Sequence, residues 1–250
     1  MKGQRDRGTK GRRDTGHGTR SLDPSIPRSP SPGFGLIVAA GRGRRFGGLK
    51  QFARIKGKPA LLHSILVFER SRAISGFVVV TNPERVGYVR TLLRQQGIRK
   101  TLDVVAGGRE RTDSVDAGLA VLPEDGCVAI HDAARPVIST RMLEQGFRAC
   151  RKYGAATFGY PVTDTLKRVH DGAITETVDR DSLIAVQTPQ FFHLSLLRRA
   201  YAQARNAGIA ASDDCALVEL LGIRPHWLKG PRTNLKITAP EDLALCEALM

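Results

Sequence analysis

Cysteine is scarce in this chain, and the spacing of its cysteines argues against two classes of protein. The four cysteines among 250 residues, Cys127, Cys150, Cys215 and Cys246, include no C-x-x-C pair. Closely spaced cysteines are the usual sign of a zinc site or of a small domain held together by disulfides. We therefore expect four small buried side chains in a reducing compartment, and neither a zinc site nor a disulfide framework.

Long apolar runs are also absent. No segment approaches the roughly 20 consecutive apolar residues that a membrane-spanning helix requires. The amino terminus is basic but lacks the apolar stretch of a secretory signal peptide. We therefore expect a cytoplasmic protein with no membrane partner.

Acidic residues are too few to balance the basic ones. The chain has 39 Lys and Arg against 24 Asp and Glu, which gives a formal net charge of +15. Such a surplus indicates anionic partners, which include nucleic acid, a membrane surface and phosphorylated metabolites. Composition alone does not choose among these three.

The first 32 residues contain almost no large apolar side chains. Residues 1–32 are instead rich in Arg, Gly, Ser and Pro. Such a segment buries too little surface to offset the entropy of ordering it, so we predict a disordered basic tail. An RNA- or phospholipid-binding arm is the functional alternative. No aromatic side chains interleave its arginines to stack on bases, which argues against nucleic acid as a partner.

Strands and helices alternate regularly from residue 33 to residue 161. Apolar runs predict strands over residues 33–40, 76–81, 102–105, 127–131 and 155–161. Helical spacing of apolar residues predicts helices over residues 60–71, 83–96, 112–122 and 140–153. This order predicts an α/β fold with a doubly wound, mostly parallel sheet and with ligands outside the carboxyl ends of the strands.

The alternation breaks after Pro161, where two short β-like runs flank an Asp-Gly pair. The runs are 165–169 and 173–178, and Asp171-Gly172 between them is a strong hairpin signal. An isolated hairpin is marginally stable, so we expect it to pack against a second subunit. The rest of the chain predicts a strand near 183–187, helices over 194–207 and 213–221, a strand near 235–237 and a last helix from Pro240.

The first strand runs into a loop rich in glycine and arginine. Residues 36–51 read LIVAAGRGRRFGGLKQ. Free N–H groups and nearby cations in such a loop can bind a chain of phosphates. The dinucleotide fingerprint is excluded because Phe46 stands where it requires glycine, and the P-loop because Leu49 separates Gly48 from Lys50. The alternative is an ordinary glycine-rich turn with solvated arginines.

Two further clusters follow predicted strands. In HDAARP, Asp132 and Arg135 could orient a metal-bound phosphate, accept a hydroxyl hydrogen bond and bind phosphate oxygens. The alternative there is an Asp–Arg ion pair that pins the loop. In GGRERTDS, glycines allow close approach of a ligand to the backbone, and Arg109 is a weak candidate contact. The alternative there is a turn in which Ser114 caps a helix.

Several segments together resemble one known family. In chain order they are AAGRGRRF, KQF, HDAARP, PVTDTLKR, TVDR, QTPQFF, SDDCALVE and NLKIT. From Phe34 to the end, the chain resembles the 2-C-methyl-D-erythritol 4-phosphate cytidylyltransferases of the non-mevalonate isoprenoid pathway. The resemblance implies a Rossmann-like nucleotidyltransferase domain over residues 33–250 and a homodimer that exchanges a β-arm at about 162–182. It also implies transfer of CMP from CTP to methylerythritol phosphate with Mg²⁺ or another divalent cation.

The resemblance further implies a role for each matched residue. The implied catalytic residues are Arg45, Lys50 and Lys236. The implied CTP-binding residues are Ala39, Ala40, Gly41, Gly43, Gly108, Ser114 and Asp132. The implied substrate-binding residues are Ala133, Arg135, Thr188 and, reaching the partner subunit's substrate, Thr165 and Arg180. No motif binds a metal directly, so the cation would be held mainly by the CTP phosphates with Asp132 nearby.

Three other functions share some of these sequence features. Cytidylyl transfer to ribitol 5-phosphate would use the same loop, fold and arm. The second alanine of HDAARP favours methylerythritol phosphate as the acceptor, because the sister family that uses ribitol 5-phosphate tends to carry a different residue there. A sugar-1-phosphate nucleotidyltransferase does not fit TPQFF or the DT-x-KR segment. The positive charge and the basic tail suggest an RNA-binding protein. That interpretation predicts an affinity for RNA that persists at physiological salt.

Overall fold

The computed structural model describes residues 31–43, 45–209 and 211–250. The predicted disordered tail therefore lies outside the described residues, apart from Ser31 and Pro32. Both of these are fastened to the domain. Arg151 donates two hydrogen bonds to the Ser31 carbonyl, and the Cys127 N–H donates to the Pro32 carbonyl at 2.9 Å. Two residues that precede the predicted boundary therefore already contact the domain.

Apolar runs of the sequence form most of the strands. The described residues contain β1 (Gly33–Ala39), β2 (Arg54–Ile55), β3 (Lys58–Pro59), β4 (Gly76–Thr81), β5 (Thr101–Ala106), β6 (Cys127–Asp132), β7 (Ala155–Pro161), β8 (Leu166–His170), β9 (Ala173–Val178), β10 (Ile184–His193) and β11 (His226–Lys229). Seven of them form the central sheet in the order β11-β7-β10-β6-β1-β4-β5. Strand β10 runs antiparallel to both neighbours, and the other pairs in this sheet are parallel. The predicted mostly parallel sheet is confirmed.

Helices cover both faces of this sheet. The described α-helices are α1 (Ala60–Arg70), α2 (Val86–Gln95), α3 (Arg111–Leu119), α4 (Thr140–Tyr153), α5 (Leu194–Ala207), α6 (Asp214–Glu219) and α7 (Asp242–Ala248). Consecutive strand residues point to opposite faces, so Ile37 packs in the cluster with α1, α2 and α4, and Leu36 in the cluster with α3, α5 and α6. The doubly wound arrangement is confirmed. None of the helices in the described part of the chain combines the length and the apolar character of a membrane span.

The ends of α4 show why its predicted bounds, 140–153, are confirmed. The Ser139 hydroxyl accepts a hydrogen bond from the Met142 N–H at 3.3 Å, which satisfies a free donor of the first turn. At the other end, Gly154 takes a φ of +84°, a conformation that glycine adopts without strain and that ends the helix. Both signals are readable in the sequence.

Strands β8 and β9 form the predicted hairpin. Asp171 and Gly172 have φ values of +48° and +78°, as the tight turn between twisted strands requires. The hairpin is a separate two-stranded sheet, and Val169 and Ile174 on it are 60% and 67% exposed. The exchange of this hairpin across a dimer stays a prediction.

The predicted strand near 235–237 is wrong, and β11 takes its place at the sheet edge. Residues 235–237 run as irregular backbone, although the Ile237 N–H donates to the Ala134 carbonyl at 2.8 Å. The apolar character that suggested a strand has another cause. Ile237 is fully buried in a small cluster with Ile55, Ala60 and Cys246. The sequence does not predict strand β11, because only four residues form it and they alternate between half-buried and exposed positions.

Candidate active site

A cavity of about 760 Å³ opens at the carboxyl ends of β1 and β6. Parallel strands place the loops that follow them at one edge, which is where ligands of such sheets bind. The residues predicted to be catalytic or to bind CTP all line this cavity: Ala39, Ala40, Gly41, Gly43, Arg45, Lys50, Gly108, Ser114, Asp132 and Lys236. Segments almost 200 residues apart in the chain, from residue 39 to residue 236, therefore meet at one site.

A tight turn at Gly43 shapes the glycine-rich loop. Its φ is +61°, and its carbonyl accepts hydrogen bonds from the N–H groups of Phe46 and Gly48. A Cβ atom at residue 43 would lie 1.9 Å from the Gly48 carbonyl oxygen. The turn can therefore be made by glycine and by no larger residue without moving the loop.

Two side chains that the sequence analysis did not single out hold the same loop. The Gln51 amide donates to the carbonyls of Ala39 and Gly41 at 2.7 and 2.9 Å. The Asn82 amide donates to the Ala40 carbonyl at 2.9 Å. These hydrogen bonds fix the backbone of the loop, and both residues also belong to the cavity lining. Gln51 stands within the KQF motif, so a signal was present.

The Asp132 carboxylate is the electrostatic centre of the cavity. It ends β6, and its two oxygens pair with different cations: Lys236 Nζ at 2.6 Å and Arg111 Nε at 3.3 Å. Burial would raise the pKa of Asp132, but Arg111 and Lys236 outweigh it and hold that pKa far below its ordinary value. The group is therefore ionised at any physiological pH.

Arg111 is the main site residue that the sequence analysis missed. It is the first residue of α3, where a cation is unfavourable because the helix dipole is positive there. Two carboxylates compensate, since Arg111 Nη2 also lies 2.8 Å from Asp214 Oδ2. Burial works against its charge, but Asp214 and Asp132 raise the pKa of Arg111 above its ordinary value. The sequence did hold a signal for Arg111: it is an arginine at the start of a helix, shortly after the glycine pair at 107 and 108.

Lys50 shares the cavity with Lys236. Burial lowers the pKa of Lys50 below its ordinary value, and the positive charge of Lys236 lowers it further, against the attraction of Asp132. Two ammonium groups in one cavity repel each other unless an anion lies between them. The cavity is thus charged for a polyanion.

Thr188 and His131 fix the backbone at Asp132. The Thr188 hydroxyl accepts a hydrogen bond from the Asp132 N–H at 3.1 Å and lies 3.1 Å from His131 Nδ1. Burial lowers the pKa of His131 to about 4, so its ring is neutral at physiological pH. In this structure the Thr188 hydroxyl holds Asp132, and the residue lies outside the cavity lining.

The other predicted substrate residues also lie outside the cavity lining. The Ala133 side chain is fully buried, and its N–H donates to the Val38 carbonyl at 2.9 Å. Arg135 donates to the Asn234 carbonyl at 2.7 Å, so it does not form the ion pair with Asp132 that the sequence left open. Thr165 and Arg180 are exposed on either side of the hairpin.

The loop after β5 also lines the cavity. The Ser114 hydroxyl accepts from the Gly108 N–H at 3.2 Å and donates to the Glu110 carbonyl at 3.0 Å. It therefore holds the loop and does not cap α3. Glu110 caps that helix in a capping box with Asp113.

Sequence spacing did not reveal a buried cluster of Cys127, Cys150 and His193. Their possible ligand atoms lie within 4.8 Å of one another, the one such group found in the described part of the chain. The Cys127 sulfur lies 3.9 Å from Nδ1 and 3.8 Å from Nε2 of His193. Because the two distances are nearly equal, the sulfur does not lie along the lone-pair direction of either ring nitrogen. Cys127 begins β6 and Asp132 ends it, so the cluster lies at the opposite edge of the sheet from the cavity.

A divalent cation would find oxygen ligands at the cavity itself. Three carboxylates belong to its lining: Glu84, Glu110 and Asp132. Asp132 stays ionised, and each of its oxygens keeps a lone pair beyond its one cation contact. Mg²⁺ commonly takes one or two carboxylates and completes its ligands with substrate phosphates and water. The donor set therefore fits a cation shared with a phosphate ligand.

Comparisons with known proteins agree with this geometry. A sequence profile of the 2-C-methyl-D-erythritol 4-phosphate cytidylyltransferases matches residues 34–250. The protein of that name from Halalkalibacterium halodurans is 41% identical over 217 residues, covering 86% of this chain and 95% of the relative. That from Pelotomaculum thermopropionicum is 42% identical over 220 residues, covering 86% and 92%.

Solved structures give the same result. A crystal structure of 4-diphosphocytidyl-2C-methyl-D-erythritol synthase matches with a TM-score of 0.74 and 33% identity over 88% of this chain and 99% of that one. The 2-C-methyl-D-erythritol 4-phosphate cytidylyltransferase from Thermus thermophilus matches with a TM-score of 0.70 and 31% identity over 86% and 96%. From these matches over nearly its whole described length, the chain belongs to the 2-C-methyl-D-erythritol 4-phosphate cytidylyltransferase family.

Proposed function

We propose that this chain transfers CMP from CTP to 2-C-methyl-D-erythritol 4-phosphate, and that Lys50 and Lys236 are its main catalytic residues. A phosphate oxygen of the acceptor attacks the α-phosphorus of CTP and forms a new P–O bond. The bond between the α-phosphorus and the bridging oxygen breaks, and pyrophosphate leaves. The observation that carries the residue roles is that two lysines from distant segments line the cavity of the glycine-rich loop.

Fixed positive charge is what this reaction needs from the protein. Two polyanions must meet, and negative charge then gathers on the five-coordinate phosphorus and on the leaving oxygens. Lys50 and Lys236 stabilise that charge, and Arg45 at the cavity rim adds to it. Asp132 holds the Lys236 ammonium by one of its three donors, which leaves two for phosphate oxygens.

The metal we propose is Mg²⁺, held by the triphosphate and by Asp132. When bound, it neutralises part of the charge on the phosphate oxygens.

Free buried cysteines fit the reducing compartment proposed for the protein, the cytoplasm.

The loops on the two sides of the cavity divide the nucleotide between them. We assign the triphosphate to the backbone of Ala39–Gly43, whose N–H groups adjoin Lys50. We assign the cytosine to Gly108 and Ser114, where the loop after β5 is held rigid by the Ser114 hydroxyl. We assign the ribose to Asp132, which lines the same cavity.

The acceptor's site is proposed to be completed by a second subunit. Thr165 and Arg180 lie on the hairpin, outside the cavity of their own chain. Exposed apolar side chains on the hairpin, Val169 and Ile174, favour docking against another surface. In a two-fold dimer the same hairpin docks twice, so each arm would bring Thr165 and Arg180 to the partner's acceptor.

Pyrophosphate release tests the proposed reaction. With CTP and Mg²⁺, we expect rapid release with methylerythritol phosphate and little with ribitol 5-phosphate as acceptor. Equal rates with both acceptors, or faster release with ribitol 5-phosphate, would contradict the acceptor assigned here. No release with either acceptor would contradict the reaction itself.

Alanine at Gly43 is expected to raise the KM for CTP by about tenfold or more, because the loop must move to accept the new methyl group. That methyl group would lie 1.9 Å from the Gly48 carbonyl oxygen. Gly47→Ala is the matched control, since Gly47 also has a positive φ, +76°, but a Cβ there meets nothing within 4 Å. We expect less than about a threefold change in KM for the control, from backbone strain alone. Steady-state kinetics decide, and equal KM values for the two variants would contradict the role of this turn.

A further inference from the structure

Four ionic side chains of alternating charge run from the core to the cavity. Asp214 Oδ2 lies 2.8 Å from Arg111 Nη2, Arg111 Nε lies 3.3 Å from Asp132 Oδ1, and Asp132 Oδ2 lies 2.6 Å from Lys236 Nζ. The side chains come from α6, α3, β6 and the C-terminal segment. We call this series the ion chain.

The inner end of the ion chain is rigid. The Asp214 side chain is fully buried, and the Lys236 side chain at the other end is 38% exposed. The Tyr201 hydroxyl donates to Asp214 Oδ1 at 2.6 Å, and the Asp214 N–H donates to Gln190 at 3.2 Å. Both carboxylate oxygens of Asp214 are therefore occupied, one by the core and one by Arg111.

We propose that Asp214, which does not line the cavity, is a positioning residue for phosphate transfer: it fixes Arg111, and through Arg111 and Asp132 it aims the Lys236 ammonium at the substrate phosphates. This inference rests on the function proposed above. It also gives a role to the SDD segment at residues 212–214, which resembles the family but to which the sequence analysis assigned no chemistry.

Arg111 is needed because Lys236 must contact both Asp132 and the phosphates once substrate is bound. Phosphate oxygens attract the Lys236 ammonium away from Asp132, and a carboxylate released by its cation would be free to rotate. Arg111 holds the other oxygen of Asp132 from a helix that the substrate does not displace. Asp214 in turn fixes the rotamer of Arg111 through a buried pair, in which a lost partner is costly.

Asp214→Asn is the test, since it keeps the shape of the side chain and removes its charge. Tyr201→Phe is the matched control, because it removes the hydrogen bond to the other oxygen of the same carboxylate and leaves the Arg111 pair intact. We expect kcat to fall by about tenfold or more in Asp214→Asn and by less than about twofold in Tyr201→Phe. Thermal unfolding of both variants identifies any loss of fold, and kcat is compared per folded molecule.

The split between kcat and KM separates positioning from mere stability. Arg111 and Lys236 contact different oxygens of Asp132, so a loose Arg111 changes where Asp132 holds the Lys236 ammonium. The interaction lost is one made in the transition state, so kcat should fall in Asp214→Asn while the KM for CTP changes by less than about threefold. A loss of folded protein alone would leave kcat per folded molecule unchanged.

The outcomes distinguish this inference from the proposed function. If the wild-type chain releases no pyrophosphate, the proposed function fails and the ion chain with it. If the wild type is active and Asp214→Asn matches Tyr201→Phe in kcat and in KM, the positioning role of Asp214 is wrong and the proposed function stands.

Discussion

Alanine at Lys50 or at Lys236 is expected to reduce the turnover of CTP by about 10²–10³-fold, or about 3–4 kcal/mol of transition-state stabilisation. Each variant removes one of the two ammonium groups that line the cavity. Lys50→Ala should not lose stability, because burial and the like charge of Lys236 already disfavour the charged form of Lys50. Lys236→Ala should lose some stability, because it takes one of the two cations away from the buried Asp132 carboxylate, so its turnover is compared per folded molecule. Pyrophosphate release measures the turnover, and thermal unfolding measures the fold.

Lys58→Ala is the control for these two variants. Lys58 is exposed on β3 and lies outside the cavity lining, so its removal changes the net charge by the same amount without touching the site. We expect turnover within about twofold of wild type, as for most surface substitutions. Near-normal turnover of Lys50→Ala or Lys236→Ala would remove that lysine from the mechanism.

Two inactive variants are expected to restore activity when they share a dimer. Lys50→Ala damages the cavity of its own chain, and Arg180→Ala damages the arm that would serve the partner's cavity. In a mixed dimer, the chain with the intact cavity receives the intact arm, so one complete site is formed. Random pairing makes about half of the dimers mixed, which gives about a quarter of wild-type turnover.

Co-expression of Lys50→Ala with Lys236→Ala is the matched control for this experiment. Both lysines belong to the cavity of one chain, so no pairing of these two variants forms a complete site, and no recovery is expected. If Arg180 served its own chain, Lys50→Ala with Arg180→Ala would also fail to recover. That result would overturn the exchanged arm.

Much of the fold could be predicted because local signals agree with tertiary packing. Buried strands such as β4 appear as continuous apolar runs, and α4 begins at a serine and ends at a glycine. In the elements that were predicted wrongly or not at all, local signals and tertiary packing do not agree. Strand β11 has only four residues at an edge, and its place beside β7 depends on partners far away in the sequence. The apolar residues at 235–237 pack in a side cluster, which a local pattern cannot distinguish from a strand.

The site residues also fall into those that the sequence could predict and those that it could not. Residues carried by a motif, such as Gly43, Lys50 and Asp132, could be named from the sequence and meet at one cavity. Arg111 could not, because its importance depends on Asp132 and Asp214, which lie 21 and 103 positions away. Thr188 and Arg135 were assigned to the substrate, and the structure shows contacts within the protein for both. A motif therefore identifies a site more readily than it assigns a role to each residue of that site.

The reversed direction of β10 has a consequence for how this protein can change over evolution. The chain leaves β7 and enters the antiparallel β10 at the same edge of the sheet, with the hairpin inserted between them. Residues can be added to or lost from that insertion without shifting the pairing of either strand. Lineages can therefore change the length and the surface of the hairpin while the central sheet and the cavity at its edge stay unaltered.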